Sequence, residues 1–251
     1  MLFQIASGIL AALVAVKLCT TGLYRRYRVF FWYMVFRVVE GAWPSFIDIK
    51  SDLYAYIWAV TEAFSLAFYI LVVLELCGLV LEKHQGLYTL GRWAIYLGMA
   101  VSVTISMVSL LPRIKPEMSQ RSKYMGYIFA TDRGTTFCMA IFLILMLLLI
   151  SRYPVKLSRN VILHASLYTL FFLCNALDMI LLRLLGLPHY AAVDIGRMTV
   201  ACFCLVAWSV FLSRKGEETQ MNVVHLRPEH EDRLLYQLDA INSTMLKISR
   251  N

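Results

Sequence analysis

The chain has 251 residues, 60% of them hydrophobic and only 16% charged, where soluble domains carry roughly 25% charged residues. With a mean hydropathy of +0.66, this excludes an ordinary water-soluble domain. The formal net charge of +8 does not point to nucleic acid. The Lys and Arg residues gather at loops and helix ends, where they set membrane orientation and meet anionic headgroups.

Seven apolar runs lie near residues 2–21, 29–47, 53–81, 88–111, 124–150, 161–185 and 191–213. A helix crossing a hydrocarbon core needs about 20 residues, so each run predicts a transmembrane helix. The first lacks the basic start and the small-x-small cleavage pattern of a secretory leader, and reads as an uncleaved helix. The second carries Arg37 and Glu40. The third carries Glu62, about 15 Å below its start at 1.5 Å per residue, with Glu75 toward its other end. On the fourth, Gly98, Ser102 and Ser106 form a stripe of small residues. Such stripes let helices approach closely, here within the chain or, alternatively, in a homodimer. The fifth carries Asp132 and Arg133, the sixth Asp178 and Arg183, and the seventh Asp194 and Arg197.

After Lys215 the composition turns polar. Residues 214–229 read as a linker and residues 230–251 as an amphipathic tail helix, leaving 1–213 as the transmembrane domain. In the tail, Leu234, Leu238, Ile241, Met245 and Ile248 are spaced four, three, four, three. That is the seam of a short coiled coil. Its expected use is self-association or docking to a cytoplasmic or membrane protein; the plainer use is lying on the membrane or under the bundle.

Basic residues set orientation. Arg25, Arg26 and Arg28, Lys83 and Arg92, Arg152, Lys156 and Arg159, and Arg214 and Lys215 fall on one side. The other side has Lys50 and the dissenting fourth loop with Arg113, Lys115, Arg121 and Lys123. The balance predicts a multi-pass protein of a cytoplasmic (inner) membrane, N-terminus outside and C-terminus cytoplasmic.

With that topology, Arg37, Glu40, Glu62, Asp132, Arg133, Asp178, Arg183, Asp194 and Arg197 all fall in the outer membrane half. The inner half holds mainly Lys17 and Glu75. A charge inside a bilayer is costly, from roughly 2.5 kcal/mol upward, so such residues face the bundle interior and pair. Arg37 with Glu40, and Asp194 with Arg197, are i,i+3 neighbours that can bridge directly. Asp132 and Arg133 point about 100° apart and must find separate partners, while Asp178 can meet an arginine across the bundle. Three readings fit: ion pairs that pin helix register, a pocket for a small polar or charged ligand, or a proton or ion path that Glu75 would extend inward.

No catalytic or metal motif fills the gap. The seventh run has no lysine for a retinal Schiff base. The five histidines are scattered, and His164 reads as an interface or packing residue. No zinc pattern, GxSxG or glycine-rich phosphate loop is present, so neither metal nor cofactor is expected. The six cysteines all fall in apolar runs and read as thiols acting as small hydrophobes. Trp43, Trp58, Trp93 and Trp208 lie toward helix ends, as an aromatic belt would. The six prolines lie near helix ends, in loops or in the tail, none of them mid-helix, and no internal repeat is visible, which counts against a transporter.

The segments LYRRYRVFFWYMVFRV, YIWAVTEAFSLAFYILVVLEL and LSRNVILHA resemble a group of uncharacterised seven-helix integral membrane proteins of soil bacteria. The resemblance spans most of the chain, tail helix included. It implies the seven-helix fold and brings no activity with it. In outline the chain also looks like the seven-helix sensor modules that sit upstream of bacterial kinases, with output then left to a partner. The expected fold is thus an all-α seven-transmembrane-helix bundle with a short cytoplasmic amphipathic helix. The expected function is receptor-like or sensor-like, non-enzymatic and without nucleic acid. A structural subunit of a larger membrane complex is the main alternative; a transporter or ion pathway is third and a membrane enzyme fourth.

Overall fold

A computed structural model gives the fold. It describes residues 2–48, 51–82, 85–109, 120–152, 156–185, 190–218 and 220–222, and residues 236, 237, 240, 243 and 244. The protein is nearly all helical: α1 (Leu2–Thr21), α2 (Arg28–Ala42), α3 (Asp52–Val80), α4 (Gln85–Val108), α5 (Gln120–Arg152), α6 (Arg159–Leu185), α7 (Tyr190–Phe211) and the five-residue α8 (Arg214–Glu218). The seam residues Leu234, Leu238, Ile241, Met245 and Ile248 lie outside the described residues.

Six helices, α1 and α3 through α7, contain stretches long and apolar enough to cross a membrane. Their outward faces are apolar: Ile9, Leu13 and Val16 on α1, Leu97, Val101 and Ile105 on α4, and Leu145 and Leu148 on α5 are exposed. A surface of this kind is solvated by lipid. α2 has 15 residues, about 22 Å at 1.5 Å per residue, and is not among the six. Short 3-10 turns, Leu23–Arg25 and Trp43–Ser45, flank it at either end.

Neighbours in sequence pack as neighbours in space, and α7 returns to α1 to close the ring; α3 also reaches α5 and α6. Gly8 of α1 lies against Gly41 of α2, Ser102 of α4 against Gly134 of α5, and Gly98 against Cys138. The small-residue stripe of α4 is therefore used within the chain. A Cβ on Gly134 would stand 2.8 Å from Val103 Cα, so only glycine lets α4 and α5 approach this closely.

Two ways of satisfying helix ends explain the remaining two intramembrane charges. The first N–H groups of a helix have no partner within it. The Glu75 carboxylate, on α3, accepts from Val29 N at 2.9 Å and Phe30 N at 3.0 Å and so caps α2. Lys17, on α1, donates to the carbonyls of Ser209 (2.5 Å) and Val210 (3.0 Å) in the last turn of α7, where a cation suits the helix dipole. Beyond α7, α8 docks on α6. A two-stranded antiparallel ribbon, β1 (Lys156–Ser158) with β2 (Gln220–Asn222), pairs Leu157 with Met221. Residues 214–222, part of the stretch whose composition reads as a linker, therefore carry α8 and β2.

Among the described residues, much of the buried core lies in the half next to α8, here the proximal half. Val14 and Leu18 of α1, Phe30 and Met34 of α2, Val73 and Cys77 of α3, Met139 and Leu143 of α5, and Phe172 of α6 are buried there. All six cysteines are free thiols.

Candidate functional site

The distal half, remote from α8, holds a cavity of about 210 Å³. Five helices build its wall. α1 gives Phe3, Gln4 and Ser7; α2 and the turn after it give Arg37, Glu40, Gly41, Trp43 and Pro44; α6 gives Phe171. α3 contributes Tyr54, Trp58, Thr61, Glu62 and Tyr69, and α7 contributes Arg197, Met198, Ala201 and Cys202. Tyr54, Trp58 and Glu62 on α3, like Arg197 with Ala201 and Met198 with Cys202 on α7, are four residues apart, which keeps them on one helix face. The α3 lining runs from Tyr54 to Tyr69, about 22 Å along the axis.

Four of the nine charged residues singled out in the sequence line the cavity: Arg37, Glu40, Glu62 and Arg197. Arg37 Nη1 donates to Glu40 Oε2 at 2.7 Å. Arg197 Nη2 donates to Asp194 Oδ1 at 2.7 Å, one turn before it, and its Nε lies 3.5 Å from Asp178 Oδ2 on α6. Glu62 stands differently. Among the described residues it makes no hydrogen bond or ion pair, while Asp132, Glu40, Arg197 and Arg37 all act on it electrostatically.

Asp132 accepts from Thr136 Oγ1 at 3.3 Å, one turn on along α5. Arg133 turns away: its Nη2 donates to the Ser106 carbonyl at 3.1 Å and to Ser109 Oγ. It joins α5 to α4 rather than lining the cavity. The 100° step between adjacent residues separates the two. Arg183 lies on α6, with its side chain outside the described residues. Among the described residues, no group of three His, Cys, Asp or Glu could hold a metal ion.

Sequence reasoning missed the aromatic wall. Trp43 and Trp58 read as membrane belt, yet both line the cavity. Position near a helix end gives depth, not the face on which a residue stands. The available signal was spacing: Tyr54, Trp58 and Glu62 recur every four residues on α3. Trp208 is also no belt residue, being 3% exposed.

Trp208 belongs to a second cluster, in the proximal half. His164 packs against Tyr27 and Phe30, each at a ring separation of 4.6 Å, and Trp208 lies 4.8 Å from Tyr168. His164 Nε2, Tyr168 OH and Trp208 Nε1 are buried without a hydrogen-bond partner among the described residues. Next to them, Tyr27 OH donates to Glu217 Oε2 at 2.7 Å, and Arg26 bridges Glu82 (2.6 Å) and Glu217 (3.3 Å). Asn160 Nδ2 donates to Ser213 O at 2.8 Å and Glu217 Oε2 at 3.2 Å, tying α8 to α6. Burial, then the bond to the Glu217 carboxylate, pushes the Tyr27 phenol well above its ordinary range, so it stays a donor.

Comparison with family models, with curated proteins and with solved structures finds no match to this chain.

Proposed function

We propose that this is a receptor-like or sensor-like seven-helix membrane protein. The distal cavity takes a small polar ligand, and the proximal face passes the change to a cytoplasmic partner. The observation that carries this reading is the cavity itself. Two arginines and two glutamates from three helices line a space of about 210 Å³, although buried charge is costly unless it is used or paired.

The seventh crossing in this reading is α2. It runs antiparallel to α1, from Tyr27 beside the proximal cluster to Gly41 beside Gly8 near the other end of α1. Its two 3-10 turns lengthen it. The balance of loop charges supports putting the distal half on the outer side of a cytoplasmic membrane. α8, tied to α6 by Asn160 and to the α1–α2 junction by Tyr27, Arg26 and Glu217, is the route by which helix movement reaches the tail. Relay requires that the ligand bind two arrangements of the bundle with different affinity.

The alternative, a structural subunit of a larger membrane complex, draws on one observation. Both cavity-lining arginines are already engaged, Arg37 by Glu40 and Arg197 by Asp194 and Asp178, as register pins would be. A proton path is less well supported, because Glu75 is occupied in capping α2.

Purification from the native membrane in mild detergent, with mass spectrometry of co-eluting proteins, separates the first two. The receptor reading expects small polar solutes to raise the unfolding temperature of the isolated protein, since binding to the folded state stabilises it. Arg37→Ala and Glu62→Ala, in protein that expresses and folds normally, should remove that response. Stoichiometric membrane partners with no small-molecule response would establish the subunit instead.

A further inference from the structure

Resting on the receptor reading, we propose that the ligand of the distal cavity is a small organic cation whose ammonium group is received by Glu62. The first reason is how the charges inside the cavity are shared. Arg37 and Arg197 each have a carboxylate at 2.7 Å, and Arg197 has a second, Asp178, at 3.5 Å. Around the two arginines stand four carboxylates, Glu40, Glu62, Asp178 and Asp194, so an anionic ligand would add to an excess of acids. Glu62 has no such partner at bonding distance among the described residues, and of the charges that act on it the acids Asp132 and Glu40 outweigh Arg197 and Arg37. A cation supplies the missing counter-charge without breaking any existing pair.

The second reason is the wall. Trp58 precedes Glu62 by one helical turn and Tyr54 by two, and Tyr69, Phe171 and Trp43 line the same space. Aromatic faces attract ammonium groups within about 6 Å of the ring centre, and Trp does so best. Aromatic cages of this kind suit methylated ammonium groups as well as primary ones. Trp43 adds a buried Nε1–H with no protein acceptor among the described residues. It would donate a hydrogen bond to an oxygen on the ligand.

The third reason is size. Pockets for drug-sized ligands run from about 300 Å³ upward. A space of about 210 Å³ therefore selects compact amines.

The test uses the full chain in lipid nanodiscs, with choline, tyramine and putrescine as cationic probes. The comparison probes are 3,3-dimethyl-1-butanol, the uncharged isostere of choline, and sodium acetate and sodium glutamate as anions. Each is followed by thermal unfolding against matched sodium chloride. The expected result is that at least one cation raises the unfolding temperature in a saturable way, that the uncharged isostere does not, and that Glu62→Gln weakens the effect at least tenfold. Trp58→Leu, which leaves every charge in place, should weaken choline more than it weakens putrescine.

An equal shift with the uncharged isostere, or an undiminished shift in folded Glu62→Gln, would overturn the proposal. A saturable shift with acetate or glutamate alone, lost in Arg37→Ala, would overturn the cation assignment and leave the small-ligand reading standing. No shift with any probe, together with a cavity closed to aqueous reagents at Cys202, would remove both.

Discussion

The two halves of the bundle use the same residue types for opposite ends. In the proximal half, the two charges inside the helices are spent on backbone: Glu75 holds the first N–H groups of α2, and Lys17 holds the last carbonyls of α7. Aromatic rings fill the space between, with Phe30 touching His164, Tyr168 and Trp208. In the distal half, Arg37 and Arg197 are paired with carboxylates side chain to side chain, and the rings stand around a cavity. The lesson is that an intramembrane charge carries no meaning by itself. What it faces, an unsatisfied helix end or a space, decides whether it serves the fold or a ligand.

If that division holds, substitutions in the two halves should separate stability from binding. The largest effect on stability is expected from Phe30→Ala, at 1% exposure in the proximal core. It should cost about 3–5 kcal/mol, read by denaturant titration in detergent micelles, with the cation response unchanged in whatever fraction folds. Glu75→Ala should follow, at roughly 2–3 kcal/mol for two charge-assisted bonds to a helix start. Faster hydrogen exchange confined to the first turn of α2 would mark the lost cap. A loss of stability below about 0.5 kcal/mol would show that Glu75 is not a cap and would reopen the path reading.

Glu62→Gln should invert the pattern. Removing a charge that has no bonded partner, and on which Asp132 and Glu40 outweigh Arg197 and Arg37, should leave stability unchanged or raise it by up to about 1 kcal/mol, while the response to cations falls. A strong destabilisation would make Glu62 a structural residue and blur the contrast between the halves. The smallest effect is expected from Tyr168→Phe. Its hydroxyl has no partner among the described residues, so deleting it should change stability by about 0.5 kcal/mol or less, in the stabilising direction. A loss above about 1 kcal/mol would show that the hydroxyl is engaged.

Much of the fold was legible in the sequence, because hydrocarbon thickness and helix rise together fix the length of an apolar run. Six runs match helices long and apolar enough to cross. The short α2 shows where that rule weakens: Arg37 and Glu40 interrupt its apolar character, and its ends are tight turns. The i,i+3 pairs were also readable, since helix geometry alone brings Arg37 to Glu40 and Asp194 to Arg197.

Helix rotation was not readable. Trp43, Trp58 and Trp208 share the composition of a belt, and only packing shows that two face a cavity and one the core. For the same reason, it was not readable that Arg133 turns to α4 while Asp132 bonds within α5. Nor could Glu75 be recognised as a cap, because its partners lie 45 and 46 residues away on another helix.

The most direct test of the two-halves account needs no substitution, because the chain carries its own reporters. Cys202 lines the distal cavity, whereas Cys204, on the same helix, and Cys77, on α3, are buried. Intact cells or right-side-out vesicles would be treated with a charged, membrane-impermeant methanethiosulfonate and each cysteine read by mass spectrometry. The account predicts modification of Cys202 from outside, protection of Cys204 and Cys77, and slower reaction of Cys202 in the presence of a bound cation. Equal inertness of Cys202 and Cys204 in the folded protein would contradict it.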